Sequence, residues 1–158
     1  MKPEVIVVFL AIVLLIGCTG PSSPRDIVDQ AIEKKDPSTC ERLTNLARDA
    51  CYDAYARETK DESVCIRLKV TSKDYCYEEV AIAKTDPEVC GNIEDVSWRD
   101  YCRAIVKQEM SLCEQVQNLT WRDGCYSKFA FDRRDPSICE KVQNEEKKKE
   151  CLSSAKSA

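Results

Sequence analysis

Ten of the eleven cysteines fall into five pairs of nearly constant span: Cys40/Cys51, Cys65/Cys76, Cys90/Cys102, Cys113/Cys125 and Cys139/Cys151. Thiols in such number support disulfide formation, metal ligation or redox exchange, and spacing separates the three. No Cys-x-x-Cys occurs, so a thioredoxin-like site has no support, and spans of eleven or twelve residues lack zinc-knuckle spacing. The chain has no histidine. That removes the usual general base near neutral pH, the Cys-His and Ser-His nucleophile pairs, and the common ligand of zinc and haem. The ten cysteines are therefore expected to be structural disulfides, with no metal, no cofactor and no catalytic residue.

Three other patterns bear on chemistry. Arg48-Asp49, Lys73-Asp74, Arg99-Asp100 and Arg122-Asp123 recur in every repeat but the last. Recurrence marks them as helix-start residues, with Asp near the positive end of the helix dipole; paired catalytic carboxylates need an asymmetric site. Trp98 and Trp121 stand where the other repeats have Ala47 and Ser72. Two tryptophans at one repeat position are candidates for an exposed aromatic strip that contacts a ligand or partner, with packing as the plainer account. Asn118-Leu119-Thr120 matches the N-glycosylation acceptor pattern, although Thr120 is also expected to cap a helix.

Cys18 has a different context. Val5 to Ile16 is an uninterrupted apolar run of twelve residues. It is short for a membrane span, which takes about 20, and matches the core of a secretory signal. The run closes as Leu15-Ile16-Gly17-Cys18. That segment resembles the lipobox of prokaryotic lipoproteins, in which the Cys receives lipid such as palmitate and becomes the new N-terminus. The resemblance covers about the first twenty residues and implies a protein attached by Cys18 to the extracytoplasmic face of the cell membrane. An uncleaved signal anchor is the alternative, and Glu4 weakens the positive head expected of a signal. Residues 1–17 read as signal, 18–25 as the lipidated Cys and a flexible tether, and 26–158 as the repeat domain. Outside the cytosol paired thiols oxidise and stay oxidised.

The repeat that carries the cysteines has a period of roughly 25 residues, within the solenoid range. Its first segment reads Asp36-Pro37-Ser38-Thr39-Cys40, with counterparts ending at Cys65, Cys90, Cys113 and Cys139. An acidic N-cap, Pro at the first helical position and an aliphatic residue three beyond the Cys (Leu43, Leu68, Ile93, Val116, Val142) describe a helix start. The second segment carries its own start signal in Thr71-Ser72-Lys73-Asp74, Ser97-Trp98-Arg99-Asp100 and Thr120-Trp121-Arg122-Asp123, a capping-box variant. Apolar residues at the Cys and four and five beyond it then mark one helix face.

Each repeat is thus a short helix, a turn and a longer helix. Spacing alone leaves connectivity open. With a turn near Thr44-Asn45, Cys40 and Cys51 come opposite one another, whereas Cys51 and Cys65 lie less evenly about the next turn at Lys60-Asp61, so pairing within repeats is expected. Asp26 to Ile32 resembles a second helix without its cysteine and is expected to cap the array. Between Cys102 and Cys113 there are three fewer residues than at the other steps, which predicts a shortened connection and a changed hairpin angle.

The expected fold is all-α: a short α-solenoid of five disulfide-stapled helical hairpins with an N-terminal capping helix. Lys and Arg number 24 against 28 Asp and Glu, a net charge of -4, with the signs mixed along the chain. That pattern is solvated helix surface, and no nucleic-acid partner is expected. A non-catalytic binding or scaffolding module, bound to the membrane by lipid and meeting a protein partner at the cell surface, is the first expectation. A structural envelope protein without a specific ligand is the alternative.

Overall fold

The computed structural model describes residues 23–69 and 72–157. The signal segment, Cys18, most of the tether and Thr71 lie outside the described residues. Six α-helices alternate with five 3-10 helices, and the described residues contain no strand. In order they are α1 (Pro24–Lys34), η1 (Pro37–Arg42), α2 (Asn45–Thr59), η2 (Glu62–Arg67), α3 (Lys73–Lys84), η3 (Val89–Asn92), α4 (Val96–Lys107), η4 (Met110–Gln115), α5 (Leu119–Arg133), η5 (Pro136–Lys141) and α6 (Glu145–Ser157). Successive α-helices pack side by side, and each 3-10 helix lies against the α-helix before it and the one after it. The fold is all-α, with chiefly neighbour-to-neighbour packing of the solenoid kind.

The first element of each hairpin is a 3-10 helix rather than an α-helix. The reason is already in the apolar period: Cys65 and Leu68, Cys90 and Ile93, Cys113 and Val116, Cys139 and Val142 are buried pairs three residues apart. Three per turn is the 3-10 repeat, and four to six residues are too few for α-helical propagation to recover its nucleation cost. The Asp expected as N-cap does that work: Asp36, Asp61 and Asp135 each accept the backbone N–H two residues on. Each also helps to end the preceding α-helix, because its own N–H donates to the carbonyl of Ala31, Ala56 or Ala130. One residue therefore ends one helix and begins the next.

The residue just before each of these caps is left-handed. Lys35, Lys60, Thr85, Gln108 and Arg134 have φ between 52° and 58°. Glycine usually fills that position because a Cβ makes it strained. Here none does.

All five disulfides close within hairpins, Cys40–Cys51, Cys65–Cys76, Cys90–Cys102, Cys113–Cys125 and Cys139–Cys151, with Cα–Cα distances of 5.6–5.8 Å. All ten cysteines are buried. Burial of the staples between the two layers is what makes a thin array hold: closing a loop of about a dozen residues contributes roughly 3 kcal/mol in the chain-entropy model. Helix α1 begins at Pro24, inside the stretch assigned to the tether. Ser23 caps it in a capping box with Asp26.

The irregular step is built differently from the expectation. The connection after α4 is of ordinary length; the helix itself is short beyond its cysteine, with five residues after Cys102 against eight after Cys51, Cys76 and Cys125. Ala31, Ala56, Ala81, Ala104 and Ala130 all lie nine residues before the next cysteine and all accept a closing N–H at their helix end. The missing three residues are therefore removed between Cys102 and Ala104. Three residues are just under one turn, so the two ends of α4 are rotated by about 60° relative to one another. The core divides there: Cys102 and Val106 belong to the N-terminal cluster, and Ala104 and Ile105 to the C-terminal one.

Candidate functional site

The recurrent aspartates reach across the array rather than only to their own helix. Asp49 Oδ2 accepts from Lys69 N at 2.8 Å. Asp74 accepts from Glu94 N and Asp95 N at 2.9 and 3.2 Å, and Asp123 from Gln143 N and Asn144 N, both at 3.0 Å. Each clamps its hairpin to the next by gripping the chain where the following α-helix begins. Asp49 and Asp123 are fully buried. A carboxylate can be held there because backbone N–H groups satisfy it.

The true helix caps lie elsewhere than expected. The cap of α3 is Ser72, one residue after the expected Thr71, which lies outside the described residues; α4 is capped by Asp95 and α5 by Asn118, not by Ser97 and Thr120. Ser97 and Thr120 fall inside the first turn, because the hydroxyl-to-Asp spacing is imitated by residues already helical. Asn118 Oδ1 accepts from Thr120 N and Trp121 N, which puts the proposed glycosylation residue at an exposed helix N-terminus.

Asp100 is the exception among the aspartates. It lies 3.7 Å from Arg103 of its own helix, and at this step the hydroxyl of Ser97 accepts from Asn118 N at 3.2 Å. A neutral single bond thus stands where the other steps have a carboxylate. An aromatic group spans the same junction. Trp98 of α4 and Trp121 of α5 stack with ring centroids 4.7 Å apart and planes at 24°, and Tyr101 tilts against Trp121 at 5.5 Å. Both tryptophans are half-buried rather than standing clear as an exposed strip. Trp98 packs on the N-terminal core and Tyr101 on the C-terminal one.

Polar groups surround the aromatics. Trp98 Nε1 donates to Glu78 Oε2 of α3. Burial pushes the Glu78 carboxyl above its ordinary value, opposed by that hydrogen bond and reinforced by Glu79. Burial likewise raises the Tyr101 phenol well above its usual range, with Glu78 and Asp132 adding to it. Asp53 of α2 is raised by burial, against the pull of Arg57, and its Oδ1 is out of solvent without a hydrogen-bond partner. Beyond Tyr101 a groove of about 430 Å³ runs between α5 and α6, past Lys128, Phe131, Lys147 and Glu150. Gly124 opens it, since nothing lies within 4 Å of where its Cβ would be.

These residues share positions in the repeat. Tyr75 and Tyr101 directly precede their cysteines, and Asp53 and Glu78 follow theirs by two. Sequence reasoning singled out the tryptophans and passed over Glu78, Asp53 and Tyr101. Reading the repeat by column on one helix face, rather than by segment, brings them out. Among the described residues no group of His, Cys, Asp and Glu is arranged to hold a metal ion. The arrangement can stack, hydrogen-bond and attract charge.

Comparison with protein-family models, with curated proteins and with solved structures finds no match to the chain.

Proposed function

We propose that the chain is a lipid-anchored, non-catalytic binding or scaffolding module on the extracytoplasmic face of the membrane, with the aromatic group of α4 and α5 as the centre of its recognition surface. One observation carries this reading. The two tryptophans of the chain occupy the same repeat position on adjacent helices and meet there, half-exposed, beside a half-buried carboxylate. Elsewhere the array manages that position with Ala47, Ser72 or Lys147, so packing alone does not call for tryptophan. Tryptophan offers a large, rigid contact area at small entropic cost, which suits recognition.

Five buried disulfides are consistent with a compartment outside the cytosol. No described helix is long and apolar enough to cross a membrane; attachment in this reading is through Cys18, on the lipobox-like sequence before it. Intact mass of the native protein tests the anchor: cleavage before Cys18 with an added lipid mass is expected, and a retained N-terminus overturns it.

A structural envelope protein without a specific ligand is the second reading. It is favoured by the position of the stack, which braces the junction where the aspartate clamp is replaced. Pull-down from membranes with the native chain and with Trp98→Ala/Trp121→Ala separates the two. A defined partner lost with the tryptophans is the expected result; identical capture by both chains favours the structural role.

A further inference from the structure

We propose that the aromatic face takes a cationic segment of a protein partner, one carrying arginine or lysine side chains about three residues apart. This rests on the binding reading above and names the chemistry of the partner.

The face is wider than the tryptophan stack. Tyr75 and Ile82 on α3 and Phe131 on α5 flank it and are 48%, 41% and 47% exposed. Single exposed apolar side chains are ordinary, but aromatic residues contiguous over three successive helices form a docking surface.

Charge on this face is unbalanced in a specific way. Three cations beside it are engaged: Arg57 lies 3.8 Å from Glu79, Lys128 lies 2.6 Å from Asp132, and Lys147 of the neighbouring groove donates to the Thr120 carbonyl. Glu78 and Asp53 have no ion pair among the described residues. Glu78 is held by the neutral indole N–H of Trp98, and Asp53 Oδ1 has no hydrogen-bond partner among the described residues. Both carboxylates are partly withdrawn from water, and the cations that act on them, Arg57 on Asp53 and Lys128 on Glu78, are each ion-paired with another carboxylate. A guanidinium or ammonium supplies a counter-charge, and the adjacent ring faces attract the same cation through their quadrupoles. An anionic partner meets repulsion from both sources.

The spacing follows from the fold. Asp53 and Glu78 occupy the same repeat position on adjacent helices, whose axes lie about 8–10 Å apart. A polyproline II chain has three residues per turn and advances about 3.1 Å per residue, so side chains three residues apart lie on one side and span that distance.

The test uses the full-length oxidised protein in detergent and a capped Gly-Arg-Gly-Gly-Arg-Gly peptide, followed by emission of the two tryptophans and by calorimetry. Saturable binding is expected, weakened tenfold or more by Asp53→Asn/Glu78→Gln. These isosteres keep the shape of the site, and Gln still accepts from Trp98 Nε1. Glu88→Gln/Glu109→Gln removes the same charge from two exposed residues elsewhere and is expected to stay within twofold. Absence of saturable binding, equal weakening by both pairs, or equal binding of the Glu-for-Arg peptide overturns the proposal. A membrane partner that needs the tryptophans but ignores Asp53→Asn/Glu78→Gln removes the cationic assignment and leaves the binding reading. If Trp98→Ala/Trp121→Ala leaves both peptide and partner binding intact, both fall.

Discussion

Asp123, fully buried at the start of α5, accepts the backbone N–H of Asn144 at 3.0 Å, and Asn144 in turn accepts from Glu146 N and Lys147 N at the start of α6. One carboxylate thereby fixes where the next helix begins. The relation repeats at two other steps, through Asp49 and Asp74, and is missing at the junction of α4 and α5.

The aspartates are therefore unequal despite their identical sequence context. Asp123→Ala leaves two N–H groups unsatisfied beside a small cavity and is expected to cost about 3 kcal/mol. Asp100→Ala removes only a part-exposed contact with Arg103 and is expected to cost about 0.5 kcal/mol. Urea unfolding of the oxidised variants measures both; equal costs would dismiss the clamp.

Reduction should act on every repeat. Each hairpin loop contributes roughly 3 kcal/mol by chain entropy, comparable in total to the whole stability of a typical domain, ~5–15 kcal/mol. Treatment with a phosphine reductant is expected to abolish cooperative unfolding or lower Tm steeply. Replacing Cys113 and Cys125 together by Ala is expected to cost about 2–4 kcal/mol. A Tm unchanged after confirmed thiol release refutes the role of the staples.

Glu78 gives the chain a pH-dependent element. Its folded carboxyl is raised, chiefly by burial, so the folded state holds that proton more tightly than the unfolded chain. The stability this supplies is present below the ordinary carboxylate value, about 4.3, and is lost as pH rises through the folded value. Glu78→Gln is therefore expected to be more stable than the native chain at neutral pH, with the difference shrinking in acid. Paired urea titrations across that window check the sign; a variant less stable at neutral pH contradicts it.

The left-handed helix ends offer a backbone test. Thr85 is β-branched and sits at φ 57°, the least favourable residue of the set for that conformation. Thr85→Gly relieves the strain but frees the unfolded chain, leaving a net stabilisation of about 0.5–1 kcal/mol. Lys60→Gly, at φ 58° without the branch, is expected to gain less. Thermal melts of the two variants rank them.

Local information made much of this molecule legible. The Asp-Pro starts, the apolar residue three beyond each first cysteine and the Ala nine before it involve neighbours within a turn or two, where the chain's own geometry decides. The period of three even encodes the 3-10 helix, which the helix-start signals by themselves do not distinguish from an α-helix. Pairing within hairpins followed from the same short range, since a dozen residues and one turn leave few ways to bring two thiols together.

What lay beyond that range was decided by stacking. Arg48-Asp49, Arg99-Asp100 and Arg122-Asp123 look alike in sequence, yet only the first and last find backbone donors twenty residues on. The difference falls at the step where α4 is three residues short beyond Cys102: there Asp100 lies beside Arg103 of its own helix, the core divides, and Trp98 meets Trp121. The sequence determined the hairpin, its caps and its staples, because those depend on contacts within one repeat. Tertiary structure alone decided which carboxylates clamp, which lie unpaired and which rings meet, because those depend on how one helix end is turned toward the next.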